Sequence, residues 1–173
     1  SSGTASVIGG LLHYVPATNV NGSVTFTYRA NDGTVNSNTV DAVVTITAVN
    51  DAPVAVDDTA TTAEDTPVNI PAATLIANDT DVDGPALSLT AVSNPTNGTV
   101  SLVSGTITFT PTANFNGTAG FDYTVTDGTL TDTGHVTITV NEVNDAPVFT
   151  KGADQTVNED AGAQSVAGWA TAI

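Results

Sequence analysis

A five-residue string occurs twice in this chain and sets its organisation. Val49-Asn50-Asp51-Ala52-Pro53 returns as Val143-Asn144-Asp145-Ala146-Pro147, 94 residues later. Each copy is a turn-forming Asn-Asp pair followed by a proline. Pro53 and Pro147 have no N–H to give a central sheet ladder, and each biases the residue before it toward extended backbone. The string therefore reads as a seam between modules. The chain also aligns with itself at a shift of 95. Pro16-Ala17-Thr18-Asn19-Val20-Asn21-Gly22 matches Pro111-Thr112-Ala113-Asn114-Phe115-Asn116-Gly117. Phe26-Thr27-Tyr28 and Asn31-Asp32-Gly33-Thr34 match Phe121-Asp122-Tyr123 and Thr126-Asp127-Gly128-Thr129, and Glu64-Asp65 matches Glu159-Asp160.

A fixed period of this size signals an array of stacked modules. It predicts three segments: the C-terminal part of a first repeat (1–52), one complete repeat (53–146) and the start of a third (147–173). The chain is expected to be a window on a longer polypeptide. Within the repeat the apolar pattern alternates with period two, which predicts half-buried strands with threonine outer faces. Phe121, Tyr123 and Val125 alternate with Asp122, Thr124 and Thr126; Val136, Ile138 and Val140 alternate with threonines. Turn signals separate the runs: Asn97-Gly98, Ser104-Gly105, Asn116-Gly117 and Asp127-Gly128. The spacing predicts strands near 54–57, 67–70, 86–92, 98–103, 105–110, 118–126 and 133–140, with one helical turn at 72–76. The first segment is expected to supply strands near 11–15, 23–30 and 38–48, and the tail an extended stretch near 154–158. Short strands with turns every 8–12 residues predict an all-β chain of tandem Greek-key β-sandwiches.

Charge narrows the function. Net charge is −16, with Arg29 and Lys151 the only basic residues. Nothing is available to neutralise phosphates, which argues against nucleic acid and anionic membrane and favours cations. No apolar run has transmembrane length, so membrane insertion is not expected. There is no cysteine and no methionine. That fits an exported surface protein held together without disulfides.

The carboxylates carry the chemistry. Asp79-Thr80-Asp81-Val82-Asp83-Gly84 is D-x-D-x-D-G, alternate oxygens on a tight loop closed by glycine, like the opening of a calcium loop. It is not an EF-hand: the twelfth position is Thr90 and no helices flank the loop. Calcium takes six to eight oxygens, so the loop needs partners.

With these residues set out, Asn50-Asp51-Ala52-Pro53 and Asn144-Asp145-Ala146-Pro147 resemble the linkers of cadherin repeats. Asp81-Val82-Asp83 resembles the cadherin D-x-D, Glu64 and Glu159 its early glutamate, and Asp32 and Asp127 its late aspartate. The chain resembles the bacterial cadherin-like tandem repeats of giant surface and RTX-type adhesins. The resemblance covers the second repeat and the visible part of the first. It implies calcium (Ca2+) joints built from both sides. For the first joint it points to Asn50, Asp51, Asp79, Asp81, Asp83 and Asp127; for the second, to Glu64, Asn144 and Asp145. One departure matters. Where cadherins carry Asp-Arg-Glu, this chain has Asn19-Val20-Asn21-Gly22 and Asn114-Phe115-Asn116-Gly117. Amide oxygens could substitute with less charge, so fewer or weaker calcium ions are expected. Asp57, Asp58, Asp65 and Glu142 read as surface acids.

No catalytic arrangement stands out. His13 and His135 do not align in the repeat and read as surface residues. Tyr28 and Tyr123 read as core or corner tyrosines, and Trp169 as core of a third sandwich. The expected function is a non-enzymatic, calcium-rigidified extender of a bacterial surface adhesin, outside the cell, with neighbouring repeats and calcium as partners. The alternatives are a subunit that self-associates into extracellular fibres and a ligand-binding adhesin module.

Overall fold

A computed structural model describes residues 2–84, 86–165, 167, 168, 170 and 171 of the chain, so Trp169 lies outside the described residues. It divides into two units, Ser1–Asn141 and Glu142–Ile173. In the first, β1 (Gly3–Ile8) and β2 (Leu11–Pro16) form a hairpin, and β3 (Gly22–Tyr28) pairs antiparallel with β4 (Val40–Ile46). There follow β5 (Asp58–Ala63), β6 (Val68–Pro71), the helical turn α1 (Ala72–Leu75) and β7 (Ser88–Thr96). The last four are β8 (Gly98–Val103), β9 (Thr106–Pro111), β10 (Gly117–Thr126) and β11 (Thr131–Asn141). The second unit has two short paired strands, β12 (Thr150–Lys151) and β13 (Ala170–Thr171).

Residues 53–141 make the expected β-sandwich. One sheet has the order β5-β11-β10-β7 and the other β6-β9-β8. The alternating residues of the central strands meet between them: Ile107 and Phe109 from one sheet, Phe121, Tyr123, Val125, Val136 and Ile138 from the other, all fully buried. Phe109 and Phe121 stack across the gap with ring centroids 6.1 Å apart. Ile70 of β6 and Leu75 of α1 join the same core.

The repeat is visible in the backbone. β1 and β2 lie 95 positions before β8 and β9, residue for residue; β3 begins 95 before β10, and β4 ends 95 before β11. Left-handed residues recur at the same shift: Asn19 and Asn114 (φ 59° and 54°), Asp65 and Asp160 (57° and 58°). Asn and Asp tolerate this region because their short side chains bond locally. Burial does not recur. Among described residues 2–52 none is fully buried; Tyr14 and Phe26 are half-buried with centroids 4.8 Å apart. Tyr28 is 55% exposed where its counterpart Tyr123 is at 0%.

In the first unit three elements depart from expectation. Residues 54–57 form no strand beyond a single bridge from Val54 to Thr80. Instead Asp58–Ala63, without large apolar residues, pairs parallel with the edge of β11. β1 was not anticipated, because its apolar pattern is weak.

His135 is not merely solvated. Its Nδ1 lies 2.7 Å from Asp122 Oδ1, and Asn94 Nδ2 donates to Asp122 Oδ2 at 2.8 Å. These two contacts hold the Asp122 carboxyl below its ordinary pKa. A carboxyl lowered in the fold stabilises it above the ordinary range, and that stability is lost as pH falls through the lowered value. Asp122→Asn should therefore lower the melting temperature at pH 7, with the deficit vanishing as pH falls below the ordinary carboxylate range. A deficit constant across a pH series of thermal melts would refute the assignment.

Tyr123 packs on Gly134, its cross-strand partner; a Cβ there would stand 2.5 Å from the ring. Gly134→Ala should cost roughly 1–3 kcal/mol, read as a lower urea midpoint. Gly162→Ala, which meets nothing within 4 Å, should leave that midpoint unchanged.

Candidate metal centre

The first joint is built where Pro53 interrupts the ladder. Val54, directly after it, pairs with Thr80 through the backbone at 2.7 Å, and three further N–H groups of this segment go to side-chain carboxylates from far along the chain. Asp51 N donates to Asp83 Oδ2 at 2.7 Å, Ala55 N to Asp132 Oδ2 at 2.9 Å and Val56 N to Asp79 Oδ1 at 2.8 Å. Asp57 Oδ1 in turn accepts from His135 N at 2.8 Å. Asp57 is thus a structural acceptor as well as a surface acid. The same holds for Asp65, whose Oδ1 accepts from Asn114 N at 2.9 Å.

The D-x-D-x-D-G loop folds on itself as its composition suggests. Asp83 N donates to Asp81 Oδ1 at 2.8 Å, and Gly84 closes the turn at φ 77°. Asp79 is tied inward: Oδ1 accepts from Tyr123 OH at 3.0 Å as well as from Val56 N. Each of these aspartates keeps one oxygen held by the protein. The other, Oδ2 of Asp79 and of Asp81, is buried and has no hydrogen-bond partner.

Asp58 repeats this arrangement beside Asp79. Its Oδ1 accepts from Asn78 Nδ2 at 3.3 Å, while Oδ2 is buried and unpartnered. Burial pushes its carboxyl pKa up, the Tyr123 hydroxyl opposes that, and the neighbouring Asp79 charge adds to it. Asp58 is therefore not the solvated acid that its sequence context suggests. Burial, then the Asp79 contact, also raises the Tyr123 phenol well above its ordinary value.

From the far end of the repeat, Asp127 reaches the linker. Asn50 Nδ2 donates to Asp127 Oδ2 at 2.6 Å, and Asp127 Oδ1 takes the N–H groups of Thr129 and Leu130 at 2.6 and 2.7 Å. The Leu130 N–H, then Asn50 and the Thr129 N–H, lower its carboxyl pKa. Asp32 makes the same turn one repeat earlier, accepting from Thr34 N and Val35 N. The structure thus brings Asn50 and Asp51 to Asp127 and Asp83. A cleft of about 190 Å³ at this place is lined by Asn19, Asn21, Asp51 and Asp83 among others. A second recess, lined by Asn19, Asp51 and Asp81, adjoins it.

Among the described residues, no three acidic or histidine side chains are drawn around one point so as to hold a metal. Several oxygens are turned to amide donors instead. The donor set still fits a hard cation: carboxylates and amide oxygens only, with two loop oxygens buried and unpartnered. Glu64, at 6% exposure, is a buried acidic residue of the complete repeat, and its N–H donates to Asn141 O at 2.8 Å. Asn144 and Asp145 lie in the second unit. There Asn144 Nδ2 donates to Asp145 O at 3.2 Å, the same local bond that Asn50 makes to Asp51 O at 3.0 Å. The roles of Asp132, Asp57 and Tyr123 at the joint carry no local sequence signal, since each acts on a residue 44 to 78 positions away.

Comparison with known proteins gives a family. A family model described as a cadherin-like domain matches residues 49–141, and one described as a bacterial Ig domain matches residues 1–47. No curated protein matches. Solved structures give weaker likenesses. An endo-fucoidan hydrolase of glycoside hydrolase family 107 is 20% identical with a TM-score of 0.37, over 83% of this chain and 23% of that one. A second family 107 endo-fucoidan hydrolase is 19% identical with a TM-score of 0.32, over 81% and 26%. A chimeric titin Z1Z2 carrying a decorin peptide is 16% identical with a TM-score of 0.25, over 81% and 73%. The chain spans about a quarter of the hydrolases' length, and superpositions this loose carry no argument. Cadherin-like and bacterial Ig domains are commonly extracellular adhesin-like or structural modules and typically non-catalytic. No helix among the described residues is long and apolar enough to cross a membrane.

The unpartnered Asp58 oxygen gives a test without metal. In chelator at pH 7, Asp58→Asn should raise the melting temperature by a few degrees, because it removes a charge whose buried Oδ2 has no hydrogen-bond partner. Asp57→Asn, the same charge change at an exposed site, should not. A fall in melting temperature for Asp58→Asn would count against the reading.

Proposed function

The chain belongs to the cadherin-like domain family, and from that premise we propose that it is a calcium-rigidified extender segment of a large bacterial surface adhesin. The role is mechanical and non-enzymatic, at the outside of the cell. The observation that carries the reading is the pair of buried, unpartnered oxygens, Asp79 Oδ2 and Asp81 Oδ2, beside a linker already tied to Asp83 and Asp127. Residues 1–52, 53–146 and 147–173 are read as successive repeats of one type, supported by the strand and left-handed positions recurring at a shift of 95.

The residues act together. Asn50 and Asp51 fix the linker, Asp79, Asp81 and Asp83 present the loop, and Asp127 reaches back from the end of the tyrosine strand. Asn19 and Asn21 border the same cleft and offer amide oxygens from the preceding repeat. Glu64, Asn144 and Asp145 are read as the corresponding contribution to the second joint. A bound calcium ion supplies the positive charge that these clustered carboxylates otherwise lack, which restrains the hinge. With amides replacing carboxylates, affinity is expected in the extracellular range of about 10⁻⁴–10⁻³ M.

A second reading, self-association into extracellular fibres, is favoured by the apolar exposure in residues 1–52. Val7, Leu11, Val15 and Val43 are each more than 60% exposed. Concentration-dependent growth in sedimentation would support it.

Calcium titration by calorimetry, with melting curves in calcium and in chelator, tests the main reading. Saturable binding and a gain of about 1–3 kcal/mol at millimolar calcium are expected, both lost in Asp81→Asn/Asp83→Asn. No heat at several millimolar calcium, with melting unchanged by chelator, would overturn it.

A further inference from the structure

The hydroxyl of Tyr123 stands between the core and the acidic loop. The ring is fully buried on β10, packed over Gly134 of β11. The oxygen lies 3.0 Å from Val56 O and 3.0 Å from Asp79 Oδ1. Val56 N donates to that same Asp79 oxygen at 2.8 Å. Both faces of residue 56, five positions after the linker aspartate, are therefore clamped by one carboxylate and one phenol. The consequence for Asp79 is geometric. With Oδ1 holding two donors, rotation about the carboxyl bond is restricted, and Oδ2 remains the buried, unpartnered atom.

We propose that Tyr123 is the positioning residue of the calcium loop, presetting Asp79 from the hydrophobic core so that loop occupancy and the attachment of residues 53–57 are coupled. The inference rests on the calcium reading above and adds to it a residue that supplies no ligand atom. A phenol on a rigid strand is suited to this. It has no flexible stem, its ring cannot shift without opening the core, and its one proton lies between a backbone and a carboxylate acceptor. Groups that orient ligands from behind typically change metal affinity by 10–100-fold when removed. Of the other charged groups near the hydroxyl, Asp58 faces it from β5 and shares the Asn78 contact with Val56 O. Asp57 and Asp132 are engaged with His135 N and Ala55 N.

The test is calcium calorimetry on the full chain and on Tyr123→Phe, with tyrosine ¹³Cζ resonances followed through the same titration of the unaltered chain. The expected result is calcium affinity about tenfold weaker in Tyr123→Phe. One buried tyrosine resonance, absent from Tyr123→Phe, should move in step with saturation. Tyr123 is the one fully buried tyrosine of the three, so its resonance is read in the unaltered chain even if Tyr123→Phe fails to fold. Equal affinity in the two proteins, or a Tyr123 resonance unmoved at saturation, would overturn the positioning role and leave the calcium joint intact. No binding by the unaltered chain would overturn both.

Discussion

Pro53 breaks the ladder at the entrance to the complete repeat, and the amides around it need acceptors. Carboxylates supply them. Asp83, Asp132 and Asp79 take the N–H groups of Asp51 and of the adjacent Ala55 and Val56, while Val54 between them pairs with the backbone of Thr80. A hydrogen bond to a charged acceptor is stronger than one to a carbonyl, so side chains hold this segment where a sheet would otherwise do so. The rest of the joint follows from that substitution. Acceptors are drawn to one end of the sandwich, and negative charge comes with them.

The acids at this end have divided duties. One oxygen of each loop aspartate is spent on structure, and the other is left over. Where it is buried, as at Asp58, Asp79 and Asp81, its desolvation is uncompensated. Burial and repulsion raise the Asp58 pKa for this reason. The core anchors the arrangement through Tyr123, whose ring is held by packing and whose hydroxyl reaches the loop. Packing between sheets and chemistry at the joint are one system in this fold.

Much of the fold was legible because period-two alternation and Asn-Gly or Asp-Gly turns are local signals. β8 falls at 98–103 as the pattern predicts, and β9, β10 and β11 within two residues of their predicted bounds. The misses share a cause. β5 has small and polar residues and exists only because β11 offers it an open edge. Residues 54–57 look like a strand, yet two of their amides are claimed by distant aspartates. Tyr28 and Tyr123 occupy equivalent positions in sequence and opposite environments in space: residues 53–141 pack a three-stranded sheet against a four-stranded one, whereas residues 2–52 bring only the β1-β2 hairpin to the two-stranded β3-β4 sheet. No local pattern reports the presence of that covering layer.

The sequence by itself determined the recurrence at a shift of 95, the all-β character and the supply of acids, because composition and spacing are properties of the chain alone. Only the tertiary structure decided which acids meet which amides. Asp57, Asp58 and Asp132 read as ordinary polar positions until the fold sets them against His135, Asn78 and Ala55. Tyr123 reads as core until its hydroxyl is found on Asp79. Hydrogen bonds between residues 44 to 78 positions apart depend on where two sheets place their strand ends. That placement is set by long-range packing, and neighbours in sequence carry no record of it.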